Sequence, residues 1–264
     1  MMYKADFYLV FFCSVFACST KKGAVSKVWF YNDDQTQDEK IENIMVYKSM
    51  LNHDLTDADF LNLQPDSTFT SFFSSFNYGK WFINDSVLVL MDHYRHLQEL
   101  SISRLDDHEM ICLDKKRGII YRFKGYATGF SSSSDNPFSG ENNQWRLKAK
   151  HKESEAEIAA RLRNHFRYWE KFFNWGLKTD IGQIDYTFTP GPFKMYGNGF
   201  SLEYLENEMP EWRNSFYDTA DCRKAYEKLY YLMVQKDIQW PKTKNRCERF
   251  VSAFQQLQDW VKDY

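Results

Sequence analysis

The chain has 264 residues with a formal net charge of −2, and 43 % of them are apolar, which is enough for one large domain or two small ones. Its 34 lysines and arginines are scattered among 36 aspartates and glutamates, so no basic patch indicates a nucleic-acid partner. Aromatic residues make up 18 % of the chain, and most of them fall at periodic positions, as is typical of a packed core.

The first predicted element is an apolar run from Phe7 to Ala17, which follows Lys4 and precedes Cys18. A helix of eleven residues is about 16 Å long, roughly half of the 30 Å that a membrane-spanning helix must cross. The run therefore predicts a secretory leader and not a membrane anchor.

The four residues Val15, Phe16, Ala17 and Cys18 resemble the lipobox of bacterial lipoproteins. The resemblance implies cleavage before Cys18, so that residues 1–17 are the signal peptide, and acylation of Cys18 with diacylglycerol and a fatty acid such as palmitate. Two or more acyl chains anchor a protein durably. Cys13 is a poor rival because Phe12 stands where the peptidase requires a small residue. An ordinary leader with an incidental cysteine is the alternative.

Residues 18–27 are small and polar, and we expect them to form a tether between membrane and domain. In lipoproteins of Bacteroidota, acidic residues just after the cysteine accompany display on the outer face. This chain has Lys21 and Lys22 instead. The resemblance thus implies a lipid-anchored protein of the outer membrane or cell envelope that faces the periplasm.

Residues 28–150 show the two-residue alternation of β-strands, separated by polar turns. The sequence Asn84-Asp85-Ser86 predicts a tight hairpin. Seven or eight short strands with local connections form a meander, and a meander covers its edges by closing. We therefore expect a small antiparallel β-barrel, with a final strand at Trp145, Leu147 and Ala149. Residues 37–52 fit either a short helix or a strand.

Several turns and aromatic residues of this region resemble the small lipocalin-like domains of Bacteroidota lipoproteins. The likeness covers residues 28–125, and Ser67 stands where those domains usually have glycine. It is carried by Trp29, by Phe60-Leu61-Asn62-Leu63, by Pro65-Asp66-Ser67-Thr68-Phe69, by Gly79-Lys80-Trp81 and by Asn84-Asp85-Ser86-Val87-Leu88-Val89-Leu90. It implies a fold and no site, and the barrel either fills with its own side chains or holds an apolar ligand.

After the Gly- and Ser-rich segment 125–144, which predicts a long loop, the apolar period changes to that of helices. Ser154 and Glu157 form a capping box, and Gly176 is a natural stop. Further helices are expected from Thr219 and after Pro241, with a shorter one within residues 201–217. Residues 151–264 are thus predicted to be a helical domain, which makes the chain an α+β protein.

Cys112, Cys222 and Cys247 remain after processing. Cys222 and Cys247 each begin one of two consecutive helices, which places them about 25 Å apart if the helices are antiparallel, too far for a disulfide. We expect three free, buried thiols. The group Asp92, His93 and His96 is a poor metal site, because on a strand the two imidazoles point to opposite faces.

The sequence contains no Walker loop, dinucleotide fingerprint, C-x-x-C pair or G-x-S-x-G motif, and it predicts no cofactor, metal or catalytic residue. The residues favour a non-enzymatic role, which is binding of a small apolar or glycan ligand or of a neighbouring envelope protein. The alternatives are a hydrolase that acts on envelope material, with acidic residues between barrel and helical part, and a purely structural subunit.

Overall fold

The computed structural model describes residues 22–31, 60–73, 75–126, 130, 132–179, 192–193 and 210–263. It divides into two compact units, of which the first holds most of residues 60–128 and the second holds residues 129–264 together with Phe72–Phe76. The first is a β-barrel and the second is helical, so the predicted α+β class is confirmed. In the described part of the chain, no helix is both long and apolar enough to cross a membrane.

The barrel is closed and lipocalin-like. Its eight antiparallel strands pair in chain order, and β1 pairs with β8 to complete the ring. The strands are β1 (Val28–Tyr31), β2 (Phe60–Leu63), β3 (Thr68–Phe73), β4 (Ser75–Asn84), β5 (Val87–Asp92), β6 (Leu97–Leu105), β7 (Glu109–Asp114) and β8 (Ile119–Tyr126).

The predicted hairpin between β4 and β5 is confirmed. Asn84 pairs with Val87, and Asp85 in the turn has a φ of 53°. At the β2–β3 turn, Ser67 has a φ of 68°, a conformation that glycine adopts without strain. Ser67 therefore adopts a backbone conformation that favours glycine.

Bulky side chains fill the middle of the barrel. On the face shared by Trp29, Trp81 and Phe123, these three residues are at most 1 % exposed, whereas the opposite face of the same strands carries exposed charges such as Lys80 and Lys124. A cavity large enough for a ligand would leave accessible surface on the inward residues. At these three positions the described part of the barrel is filled by its own side chains, as in other small barrels.

The last part of the predicted tether is bound to the barrel. Residues 22–25 form one helical turn. Lys22 Nζ donates to Ser67 Oγ at 2.7 Å, and Trp29 Nε1 donates to the carbonyl of the fully buried Val25 at 2.8 Å. Lys27 Nζ also donates to the carbonyl oxygen of Asp107. Residues 22–27, the last part of the expected tether, are thus held against the barrel by these hydrogen bonds, and residues 18–21 lie outside the described residues.

The helical unit contains helices α1 (Glu155–Gly176), α2 (Pro210–Ser215), α3 (Thr219–Lys236) and α4 (Arg246–Trp260). The capping box is confirmed, since Ser154 Oγ accepts from the Glu157 N–H and the Glu157 carboxylate accepts from the Ser154 N–H. Aromatic side chains join α1 to α4, with Phe173 and Phe250 stacked at 4.7 Å between ring centroids. Such contacts add to the stability that apolar burial gives.

The strand predicted around Trp145 is wrong, and the barrel strands end at Tyr126 instead of near residue 150. Residues Glu141–Arg146 form a 3-10 helix that packs on α1. The carbonyls of Trp145 and Leu147 accept from Arg161 Nη1 at 2.8 and 2.9 Å. A guanidinium thus provides the hydrogen bonds that a neighbouring strand would have provided, which alternation in sequence does not reveal.

Three cysteines of the described residues are buried thiols that form no disulfide, as predicted: Cys112, Cys222 and Cys247. Burial raises the pKa of the Cys112 thiol to about 12 and also raises the pKa of Cys247. The predictions for residues 1–21 and 37–52 lie outside the described residues, as does most of the segment 180–209.

Candidate functional site

Cys18, the predicted acylation site, lies outside the described residues. The nearest described residue, Lys22, is four positions further along the chain. Four residues of extended chain span at most about 14 Å. Because Lys22 is bound at Ser67, any lipid on Cys18 would attach close to this end of the barrel.

The histidines of the β5–β6 turn have ordinary structural contacts. His93 stacks on Tyr78 at 4.3 Å between ring centroids, and His96 Nδ1 lies 3.1 Å from Asp92 Oδ2. The same carboxylate accepts from the backbone of Tyr94 and His96. Within the part of the chain that the structure describes, no group of three or more His, Cys, Asp or Glu residues is placed to hold a metal ion.

A pocket of about 420 Å³ lies in the helical unit, between the start of α1 and one face of α3. Its volume is within the range of small-molecule sites. Most of its lining residues are charged, and Ile158 and Tyr231 are the uncharged ones. The remaining lining residues are Lys152, Glu153, Glu155, Asp221, Lys224, Glu227 and Lys228.

Hydrogen bonds fix the helix starts that border the pocket. At α3, Asp218 is the N-cap and its Oδ1 accepts from the Asp221 N–H at 2.8 Å, which places Asp221 in the first turn. At α1, the capping box orders the residues just before the helix. Both borders of the pocket are therefore set by local sequence signals.

Asp221 is the unusual residue of this pocket. It is 1 % exposed, and its Oδ2 is buried with no hydrogen-bond partner. No lysine, arginine or histidine of the described chain forms an ion pair with it. A buried acceptor without a hydrogen-bond donor costs about 1 to 3 kcal/mol, and the partial positive charge at the start of α3 offsets part of that cost.

The other carboxylates of the lining have cationic partners. Arg161 binds Glu153 through Nε and Nη2, with a shortest distance of 2.7 Å. Glu155 lies 3.5 Å from Lys228, and Glu227 lies 4.0 Å from Arg223. Among the described lining residues, only the carboxylate of Asp221 is left without a counter-charge.

Two lysines of the lining are also unpaired. Lys152 and Lys224 are exposed, and within the described residues neither forms a hydrogen bond or ion pair. The pocket thus combines one buried anionic group with two cationic groups that are exposed to solvent. The described lining contains no serine, cysteine or histidine, so it offers neither a nucleophile of those types nor an imidazole base.

Sequence reasoning missed this pocket. Asp221 follows an N-cap aspartate in a helix start, and in sequence such a residue is indistinguishable from an exposed first-turn acid. Its burial depends on how α3 packs in the helical unit, for which the sequence carries no local signal.

Comparison of the chain with protein-family models, with curated proteins and with solved structures gives no match. The likeness to Bacteroidota lipoproteins therefore stays a prediction, and the function has to be argued from the residues themselves.

Proposed function

We propose that this protein is a lipid-anchored envelope protein with a non-enzymatic binding role. Cys18 carries the acyl anchor, and the protein faces the periplasm from the outer membrane. The barrel is a packed scaffold, and the pocket of the helical unit binds a small polar ligand. A polar ligand is favoured over an apolar one because charged side chains dominate the pocket lining.

The anchor is supported by the sequence at Cys18 and by the chain that follows it. The leader is too short to span a bilayer, so acylation is the route to membrane attachment that the sequence offers. Lys22 binds at the end of the barrel four residues after Cys18. An acylated Cys18 would therefore hold that end of the barrel within about 14 Å of the lipid headgroups.

The unpaired carboxylate of Asp221 carries the proposal of binding. A buried polar atom without a partner in the protein is a position where a ligand, an ion or a water molecule can supply the missing hydrogen bond. Hydrolysis by a pair of carboxylates would need a second free acid. Glu153, Glu155 and Glu227 all have cationic partners, which favours binding over hydrolysis.

Metabolic labelling with radioactive palmitate and membrane fractionation test the anchor. We expect the wild type to be labelled and to sediment with membranes. The Cys18→Ser variant should lose both the label and the membrane association. Cys13→Ser is the matched control, because it alters a nearby cysteine of the leader and should keep both. Labelled, sedimenting Cys18→Ser protein would contradict the proposal.

A further inference from the structure

We infer that the pocket of the helical unit binds a small zwitterion, with a primary amine on Asp221 and a carboxylate on Lys152 and Lys224. A free α-amino acid or a dipeptide has this chemistry. The inference rests on the proposed binding role and adds the class of ligand to it.

The amine of the ligand is inferred from the burial and missing hydrogen bond of the Asp221 side chain. Its Oδ2 is buried and lacks a donor, and no cation of the described chain pairs with the carboxylate. An ammonium group provides three N–H donors and a full positive charge. Charge-assisted hydrogen bonds of this kind are about twice as strong as neutral ones, so an amine compensates the buried carboxylate better than a hydroxyl does.

The carboxylate of the ligand is inferred from the two unpaired lysines. Lys224 lies one turn after Asp221 on α3, and Lys152 precedes α1. Both line the same pocket as Asp221, so one small ligand can contact groups of both signs. A ligand with only a positive charge would leave both ammonium groups without a partner. A purely anionic ligand would face the unpaired Asp221.

The size of the pocket and its apolar residues limit the rest of the ligand. About 420 Å³ accommodates a single amino acid or a dipeptide and is too small for a long chain. Ile158 is 4 % exposed and Tyr231 is 61 % exposed. They offer the ligand side chain one buried apolar contact and one aromatic ring in contact with solvent.

Thermal unfolding of the anchored protein in detergent tests this inference, with a panel of probes that consists of the twenty L-amino acids and dialanine. We expect at least one probe to raise Tm, by about 5 to 10 °C at about 100 times its Kd. The N-acetylated form of that probe, which lacks the amine, should give no shift. Its amide, which lacks the carboxylate, should give a smaller one.

Asp221→Asn is the decisive variant. The probe should no longer raise its Tm, because the amide that replaces the carboxylate carries no charge that can pair with the amine of the probe. Asp259→Asn, which changes an exposed carboxylate of α4, is the matched control and should respond to the probe as the wild type does.

Three results would overturn the inference: no shift with any probe, a shift that survives N-acetylation, or a shift that survives in Asp221→Asn. A small molecule without an amine, co-purified in the pocket, would also overturn it while leaving the binding role intact. Failure of the anchor at Cys18 would refute the lipoprotein proposal and leave this test unaffected.

Discussion

Removal of the Arg161 side chain should lower the stability of the helical unit much more than removal of an exposed charged side chain. The Arg161 guanidinium binds both oxygens of Glu153, and its Nη1 donates to the carbonyls of Trp145 and Leu147. The side chains of Arg161 and Glu153 are 13 % and 8 % exposed. Arg161→Ala therefore leaves a nearly buried carboxylate and two backbone acceptors without their donor.

Truncation of one partner of a buried ion pair costs about 3 to 5 kcal/mol. With a urea slope near 3 kcal/mol/M, that loss lowers the unfolding midpoint by about 1 to 2 M. Circular dichroism at 222 nm follows the unfolding of the helical unit selectively, because helices α1 to α4 all lie in that unit.

Two further variants distinguish the effect of the unpaired buried charge from a general loss of stability. Adding Glu153→Gln to Arg161→Ala should recover about 1 kcal/mol or more, because the carboxylate left behind is no longer charged. Lys262→Ala, which removes an exposed partner of Asp259, should cost less than about 1 kcal/mol. A loss below about 1 kcal/mol for Arg161→Ala, or no recovery in the double variant, would refute the reasoning.

Three other predictions concern the barrel, the capping box and the thiols. Gly79→Ala should abolish folding of the barrel, since its Cβ would clash with the carbonyl oxygen of Met91. Gly23→Ala meets no atom within 4 Å and should fold normally; soluble yield and circular dichroism compare the two variants. Backbone and side-chain hydrogen bonds from Ser154, and a weaker one from His151, lower the pKa of Glu157 from 4.5 to about 2. The stability that this carboxylate adds should be present above about pH 5 and lost as the pH falls towards about 2. The urea midpoints of the wild type and of Glu157→Gln should therefore converge near pH 2. A difference between the two midpoints that does not change with pH would contradict this prediction. Iodoacetamide at pH 8 should modify none of the three described cysteines in the folded protein within minutes and all three in urea, and rapid modification before unfolding would show that the thiols are accessible.

Much of the fold was predictable because its signals are local. Two-residue alternation gave the barrel strands up to Tyr126, and the turn residues around Asp85 gave the β4–β5 hairpin. The pairing of Ser154 with Glu157 marked the start of α1. Each of these features depends on residues within a few positions of one another, which is why one sequence is enough to predict them.

The errors occurred where distant residues determine local structure. Trp145 has the alternation of a strand, yet Arg161, sixteen positions later, binds its carbonyl and favours a helical turn. Lys22 belongs to the segment that is expected to be a tether, and its hydrogen bond to Ser67, 45 positions later, has no local sequence signal. Asp221 is a comparable case, since its burial depends on the tertiary packing of α3. The candidate site was therefore not predictable from the sequence.

Native mass spectrometry of the wild-type protein, extracted from its own membranes, tests the central claim most directly. We predict a covalent mass that lacks residues 1–17 and includes a diacylglyceryl group, together with a non-covalent small molecule that gentle activation releases. A chain that retains residues 1–17 and carries no lipid would contradict the anchor. An acylated chain that never carries a small molecule, even when the binding probes are added, would contradict the binding role.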